Sequence, residues 1–237
     1  GKTLVLPPNN IEKTLNTLQA DGAYVLNAAT VLSQGLPEAI SSATGNGLFE
    51  AVDWQEIARQ PSIIFFSSGS TAAPKRIMRS LLQLLWEVET LQQVFQLPAN
   101  AMMIATVSQQ HIYGLLFKLL WPLQQGAAFY DQQLAYPEHV LHQAGQYASL
   151  HQPWLVSSPA FLKRWQAGVS AQPFQHIVSS GGVLPLQARA LFDVPLTEVL
   201  GSTETGGMAY RSQQQPVWQA FPDVSIRIED DALWVRS

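Results

Sequence analysis

A chain of 237 residues that is 47% hydrophobic and only 13% charged carries enough apolar surface for an autonomous core, as one large domain or two small ones. Its net charge of −4, with no basic cluster anywhere, excludes a nucleic-acid surface. The absence of cysteine excludes disulfides and thiolate metal sites. No apolar run approaches the ~20 residues of a membrane span and no signal-peptide layout opens the sequence, so a cytoplasmic location is expected.

Residues 3–6 read as a short strand closed by Pro7 and Pro8. Residues 11–18 read as a helix capped by Asn9 or Asn10, with Ile11, Leu15 and Leu18 on one face. Residues 23–26 make a second strand, and strand–helix–strand order predicts a parallel pair. Gly35, Pro37, Gly45 and Gly47 mark loops, and residues 54–59 a short turn or strand. The apolar run 63–66 reads as a buried strand.

That strand feeds into Ser67, Ser68, Gly69, Ser70 and Thr71, with Pro74 and Lys75 close behind. Small side chains let backbone N–H groups approach a ligand, the hydroxyls add donors, and Lys75 adds a cation. Such a set suits a phosphate chain; the alternative is a polar surface loop. A P-loop, G-x-x-x-x-G-K-[ST], is ruled out. Counted from Gly69, its second Gly would fall on Pro74 and its Ser or Thr on Arg76. The spacing of Ile77, Leu81, Leu84, Leu85, Val88, Leu91 and Phe95 predicts a helix over 76–96, ended by Pro98. That places the loop near a helix N-terminus, where the dipole favours anions.

Further on, 102–106 reads as a strand and 115–123 as a helix entered through Gln110-His111-Ile112-Tyr113-Gly114. Strands follow at 127–130 and 154–156, with a helix at 138–147 between them. Ser158 and Pro159 suit the N-cap and first position of another helix. Then come a strand at 176–178, a tight turn at Gly181-Gly182, a helix over 185–191 and a strand at 197–200. This β–α alternation predicts an α/β fold: a mainly parallel sheet with helices on both faces and ligands at the carboxyl ends of strands. After it, 208–211, 217–221, 224–228 and 232–235 read as short strands of an antiparallel region. The expected division is an α/β portion over 1–200 and the start of a β-rich subdomain over 201–237.

Two more clusters carry chemistry. In Gly201-Ser202-Thr203-Glu204, the carboxylate of Glu204 suits Mg²⁺ held together with phosphate, and Thr203 suits a phosphate oxygen. The alternative is a Gly-rich turn with a solvated Glu. In Ser179-Ser180-Gly181-Gly182, the glycines permit close backbone approach, as they would in an ordinary strand-to-helix turn. His139 and His142, three apart with no third ligand, read as a solvated helix face.

Together these stretches resemble the adenylate-forming superfamily: acyl-CoA synthetases, peptide-synthetase adenylation domains and luciferases. The family's loop [ST]-S-G-[ST]-T-G-x-P-K-G is matched at Ser67, Ser68, Gly69, Ser70, Thr71, Pro74 and Lys75, and departs at Ala72 and Arg76. Its [YF]-G-x-T-E motif is matched at Gly201, Thr203 and Glu204, with Leu200 where an aromatic usually stacks on adenine. Its S-G-G-x-x-L segment is matched around Gly181 and Gly182, which would lie against the adenine.

The resemblance implies ATP and Mg²⁺ as cofactors. Ser67, Ser70, Thr71 and Lys75 would hold the β- and γ-phosphates within a loop completed by Ser68 and Gly69. Thr203 would hold the α-phosphate, Glu204 the metal, and His111 would border the acid. An aryl or fatty acid would attack the α-phosphate, giving an acyl-adenylate for transfer to coenzyme A or to the phosphopantetheine of an acyl carrier protein. Residues 5–9 and 76–95 suggest the acyl-AMP ligases of aryl-polyene or fatty-acyl clusters. The family's ribose-binding Asp, hinge and C-terminal lid have no match before Ser237. A truncated piece with weak adenylation is therefore expected. A non-catalytic nucleotide- or acyl-binding module and a plain α/β interaction protein remain open at this point.

Overall fold

The computed structural model describes residues 4–6, 15–16, 61–67, 75–213, 217–230 and 232–236. Residues 15 and 16 are helical, as expected. The rest of the helix over 11–18, the strand at 23–26, the loops of 27–47 and the element at 54–59 lie outside the described residues. The chain divides into two compact units, residues 1–82 and 83–237.

In the first unit, β1 (Leu4–Leu6), β2 (Pro61–Ser67) and β3 (Lys75–Ser80) form a sheet in the order β1-β2-β3. The first pair is parallel and the second antiparallel. Ile63, Ile64 and Phe65 are buried, as their apolar run requires.

The strand β3 corrects the sequence reading, which extends the helix back to residue 76. Helix α1 instead spans Leu81–Phe95. Ile77 fits the helical period, but it equally fits a strand. Pairing Phe65 with Ile77 and Ile64 with Met78 satisfies both backbones across the hairpin. Such pairing is nonlocal and leaves no trace in local periodicity.

In the second unit, seven strands lie in the order β10-β9-β8-β7-β6-β4-β5. They are β4 (Ala101–Ala105), β5 (Ala128–Gln133), β6 (Gln152–Ser157), β7 (His176–Ser180), β8 (Leu196–Ser202), β9 (Gly206–Ser212) and β10 (Gln219–Ala220). The run from β5 to β8 is parallel, and β9 and β10 continue the same sheet antiparallel. A separate antiparallel pair is made by β11 (Ser225–Glu229) and β12 (Ala232–Arg236).

Helices cover both faces of the large sheet. On one face, Leu155, Ile177 and Leu196 pack with Val140 and Ala144 of α3 (Pro137–Tyr147) and with Phe161 and Leu162 of α4 (Pro159–Leu162). The short α5 (Leu186–Arg189) follows β7 and opens after Pro185. Ser158 takes the N-cap position of α4, but its side chain makes no cap hydrogen bond.

On the other face lie α1 and α2, the latter covering residues 112–125. Phe95 of α1 meets the rings of Trp121, His176, Tyr210 and Phe221, and Trp121 stands edge-on to Trp154. Helix α2 is α-helical at Ile112–Gly114 and Trp121–Gln125 and a π-helix at Leu115–Leu120. No helix among the described residues is long and apolar enough to cross a membrane.

Two features of this face yield predictions. The start of α2 lies against the segment before it: a Cβ on Gly114 would stand 2.0 Å from the Ser108 carbonyl oxygen. Helix propensity alone says that Gly114→Ala stabilises by about 1 kcal/mol. The backbone clash opposes this, and overpacking costs of ~1–3 kcal/mol or more decide the sign. Urea unfolding of Gly114→Ala should therefore show net destabilisation.

His176 stacks on Trp154 with ring centroids 4.6 Å apart and pairs with Thr197 Oγ1 at 3.0 Å. Burial pushes its pKa down from 6.5 to about 4. The unfolded chain therefore binds the extra proton between those values. Stability is full above the upper one, falls as pH drops towards about 4, and loses nothing more from this group below it. The loss is at most about 3 kcal/mol. Urea midpoints taken across this window should drop less in His176→Gln than in wild type.

Candidate functional site

Parallel register brings several segments to one edge. β4, β6, β7 and β8 run in the same direction and end at Ala105, Ser157, Ser180 and Ser202. The segments leaving that edge carry His111 after β4, Gly181 and Gly182 after β7, and Thr203 and Glu204 after β8. The chain passes from β4 outward to β5, then returns to β6 on the opposite side of β4. This is a topological switch point, where open α/β sheets place their ligand crevice. At this point Thr106 Oγ1 and Ser157 Oγ lie 2.9 Å apart, joining the ends of β4 and β6.

The loop to His111 is tied down at several places. His111 donates its N–H to the Ser108 carbonyl at 3.2 Å, and its own carbonyl accepts the Leu115 N–H at 2.8 Å. Its imidazole is exposed at the N-cap position of α2. Two residues on, Tyr113 Oη donates to the Val178 carbonyl at 2.9 Å. Burial pushes that phenol far above its ordinary range, so it stays a neutral donor.

Lys118, 2% exposed within the π-helical stretch, donates from Nζ to the Asp131 carbonyl at 2.7 Å and to Gln109 Oε1 at 3.3 Å. Burial lowers its pKa, against the opposing charge of Asp131. Gln109 belongs to the same loop as His111, so this buried cation helps hold the loop. Neither Tyr113 nor Lys118 stands out as a site residue in the sequence. A lone lysine inside Leu-Leu-Phe-Lys-Leu-Leu was the available signal for the second.

Gly181 and Gly182 form the expected turn. Gly181 has φ +88°, a left-handed conformation suited to glycine, and both residues are exposed. In β8, Leu200 is half-exposed and Gly201 exposed. Thr203 is half-buried and Glu204 exposed in the turn joining β8 to β9. Ser202 Oγ accepts the Thr205 N–H at 3.2 Å, and Gly207 donates its N–H to the Glu87 carboxylate of α1 at 3.1 Å. Among the described residues, no three His, Asp or Glu side chains gather to hold a metal. A cation there would rest on Glu204 and on the ligand's own oxygens. His139 and His142 are exposed on α3, as a solvated face requires.

The serine-rich loop belongs to the first unit. Ser67 ends β2 and pairs with Lys75, which begins β3 and is exposed. Ser68, Gly69, Ser70 and Thr71, with residues 72–74, lie outside the described residues. Lys75 leads into a strand and α1 starts only at Leu81, which corrects the expectation of a helix dipole acting at this loop. What remains for an anion is the chemistry of the hydroxyls, the small residues and Lys75.

Comparison with known proteins adds the family. The chain is 32% identical over 179 residues to a 4-coumarate–CoA ligase of Rhodobacter capsulatus, covering 72% of this chain and 44% of that protein. It is 27% identical over 169 residues to one of Cereibacter sphaeroides, covering 68% and 40%. The chain thus spans less than half the length of these relatives.

Among solved structures, ATP-bound MatB from Rhodopseudomonas palustris matches with a TM-score of 0.62 and 20% identity, over 73% of this chain and 36% of that one. O-succinylbenzoate coenzyme A synthetase (MenE) from Bacillus subtilis, in complex with ATP and magnesium, matches with a TM-score of 0.63 and 16% identity, over 73% and 38%. At these identities the structures speak for the fold alone. The model of the AMP-binding enzyme family matches residues 5–233, nearly the whole sequence, and the chain therefore belongs to this adenylate-forming family.

Proposed function

We propose that this chain supplies the nucleotide- and acid-binding part of an ATP-dependent activation of a carboxylic acid. The carboxylate attacks the α-phosphate of ATP, a P–O bond forms, the bond to pyrophosphate breaks, and an acyl-adenylate results. The adenylate then serves thioester formation on coenzyme A, with the phosphopantetheine of an acyl carrier protein as the other acceptor of the same chemistry. The observation that carries this reading is the gathering of His111, Gly181, Gly182, Thr203 and Glu204 on segments leaving one edge of the parallel sheet.

The roles follow from chemistry. Two anions must approach each other, so positioning and charge neutralisation dominate. In this reading Ser67, Ser68, Gly69, Ser70, Thr71 and Lys75 hold the outer phosphates. Thr203 holds the α-phosphate, and Gly181, Gly182, Leu200 and Gly201 border the adenine. His111, exposed at the start of a helix, sits where an acid carboxylate gains from the N-terminal dipole.

Glu204 fits as a single hard-oxygen ligand for Mg²⁺, which takes its remaining ligands from phosphate and water. Bound there, the cation would neutralise the phosphates during the attack. Similarity to two 4-coumarate–CoA ligases favours an aryl acid over a fatty one for this chain.

Titration calorimetry of the chain with Mg–ATP and with AMP tests the reading. Wild type should bind both. Lys75→Ala should weaken Mg–ATP roughly tenfold or more while sparing AMP, since only ATP carries the outer phosphates. Glu204→Gln should weaken ATP with Mg²⁺ present and change little with the metal chelated. Failure of wild type to bind either nucleotide at millimolar concentration would sink the proposal. Binding without formation of an acyl-adenylate from a supplied aryl acid would leave a binding module instead.

A further inference from the structure

Glu198 of β8 is 2% exposed, yet it carries a carboxylate. Its Oε1 accepts the Leu184 N–H at 3.0 Å. Its Oε2 accepts from Arg189 Nη2 of α5 and from Arg211 Nε of β9, the latter at 2.8 Å. The Arg211 guanidinium lies over the Trp218 ring, 4.5 Å from its centroid. One side chain thus links β8 to β9, to α5 and to the main chain of the turn after β7.

Stability alone is a poor reason for such an arrangement. Burying a carboxylate costs several kcal/mol, and well-packed apolar residues often do as well as a buried ion pair. The partner that matters is the backbone. Gly181, Gly182 and Val183 are exposed, whereas Leu184, next along, is 1% exposed and bonded to Glu198. The exposed tip of the turn therefore stands on an anchor in β8, two residues before Leu200.

We infer that Glu198 is a positioning residue: its carboxylate sets the place of the Gly181–Gly182 turn relative to the Leu200–Glu204 segment. The two guanidinium groups hold the carboxylate in its orientation. Its value for nucleotide binding rests on the function proposed above, because only there do the two segments share a ligand.

Glu198→Gln keeps the shape and an acceptor oxygen but removes the charge that fixes the arginines. Hydrogen exchange by mass spectrometry, on the folded full chain, should show peptides covering 181–186 exchanging roughly tenfold faster, with β4 and β6 unchanged. AMP affinity should fall by a similar factor. Should Glu198→Gln not fold, Arg211→Gln, which keeps the Arg189 pair, should move the same two readouts in the same direction.

Unchanged exchange at 181–186, or exchange rising equally throughout the sheet, would overturn the inference, as would unchanged AMP affinity beside a faster turn. If wild type does not bind AMP, the proposed function fails; the exchange measurement still decides the anchor.

Discussion

The parallel ladder from β4 through β6 and β7 to β8 is the constraint on which the candidate site depends. Parallel strands must return through a crossover, so each strand ends at the same edge and each exit loop begins there. Pairings such as Ala105 with Val156 and Ser180 with Val199 fix how far each strand reaches. Residues separated by nearly a hundred positions, such as His111 and Glu204, thus emerge from one edge. The antiparallel strands β9 and β10 extend the sheet beyond β8. The turn that bears Glu204 joins β8 to β9.

A sheet buried on both faces demands apolar residues along its strands and on the helix faces that cover them, and the exceptions are informative. Lys118 and Glu198 are the clearest. Each is nearly inaccessible, and each has hydrogen-bond partners that belong to an exit loop rather than to the core alone. Lys118 reaches the loop after β4, and Glu198 reaches the turn after β7. Polar groups inside a core carry a desolvation cost, so the core is specified by shape and the loops by these few directed bonds. Tyr113, with its hydroxyl on the Val178 carbonyl, is a third tie of the same kind.

Much of this was legible in the sequence, because parallel strands buried on both faces are short apolar runs and their crossovers carry helical periodicity. The strands at 102–106, 154–156, 176–178 and 197–200 and the helix at 138–147 were found within a few residues. The motif residues fell at strand ends because small and hydroxyl-bearing residues interrupt such runs there. Two things escaped. Strand β3 was read as helix, since Ile77 and Leu81 satisfy either period and the deciding partner is β2. The Glu198 network was invisible because Leu184, Arg189 and Arg211 come together only through tertiary structure. No local rule distinguishes Glu198 from any other acidic residue in a strand.

On the proposed reading, the electrostatics of this chain place the burden on local donors. A protein of net charge −4 gives a polyphosphate no long-range attraction. Only Lys75, Arg76 and Arg79 are basic near the serine-rich loop, and Lys75 begins a strand rather than a helix, so no helix dipole of α1 adds to them there. Recognition then falls to short-range contacts: backbone N–H groups exposed by Gly and Ser, hydroxyls, the single ammonium of Lys75, and a divalent cation brought by the nucleotide itself. Such contacts count only if their geometry is fixed beforehand, since each is weak in water and none acts at a distance. That is the physical sense in which buried, directed bonds such as Glu198 to Leu184 belong to the same design as the exposed glycines they hold.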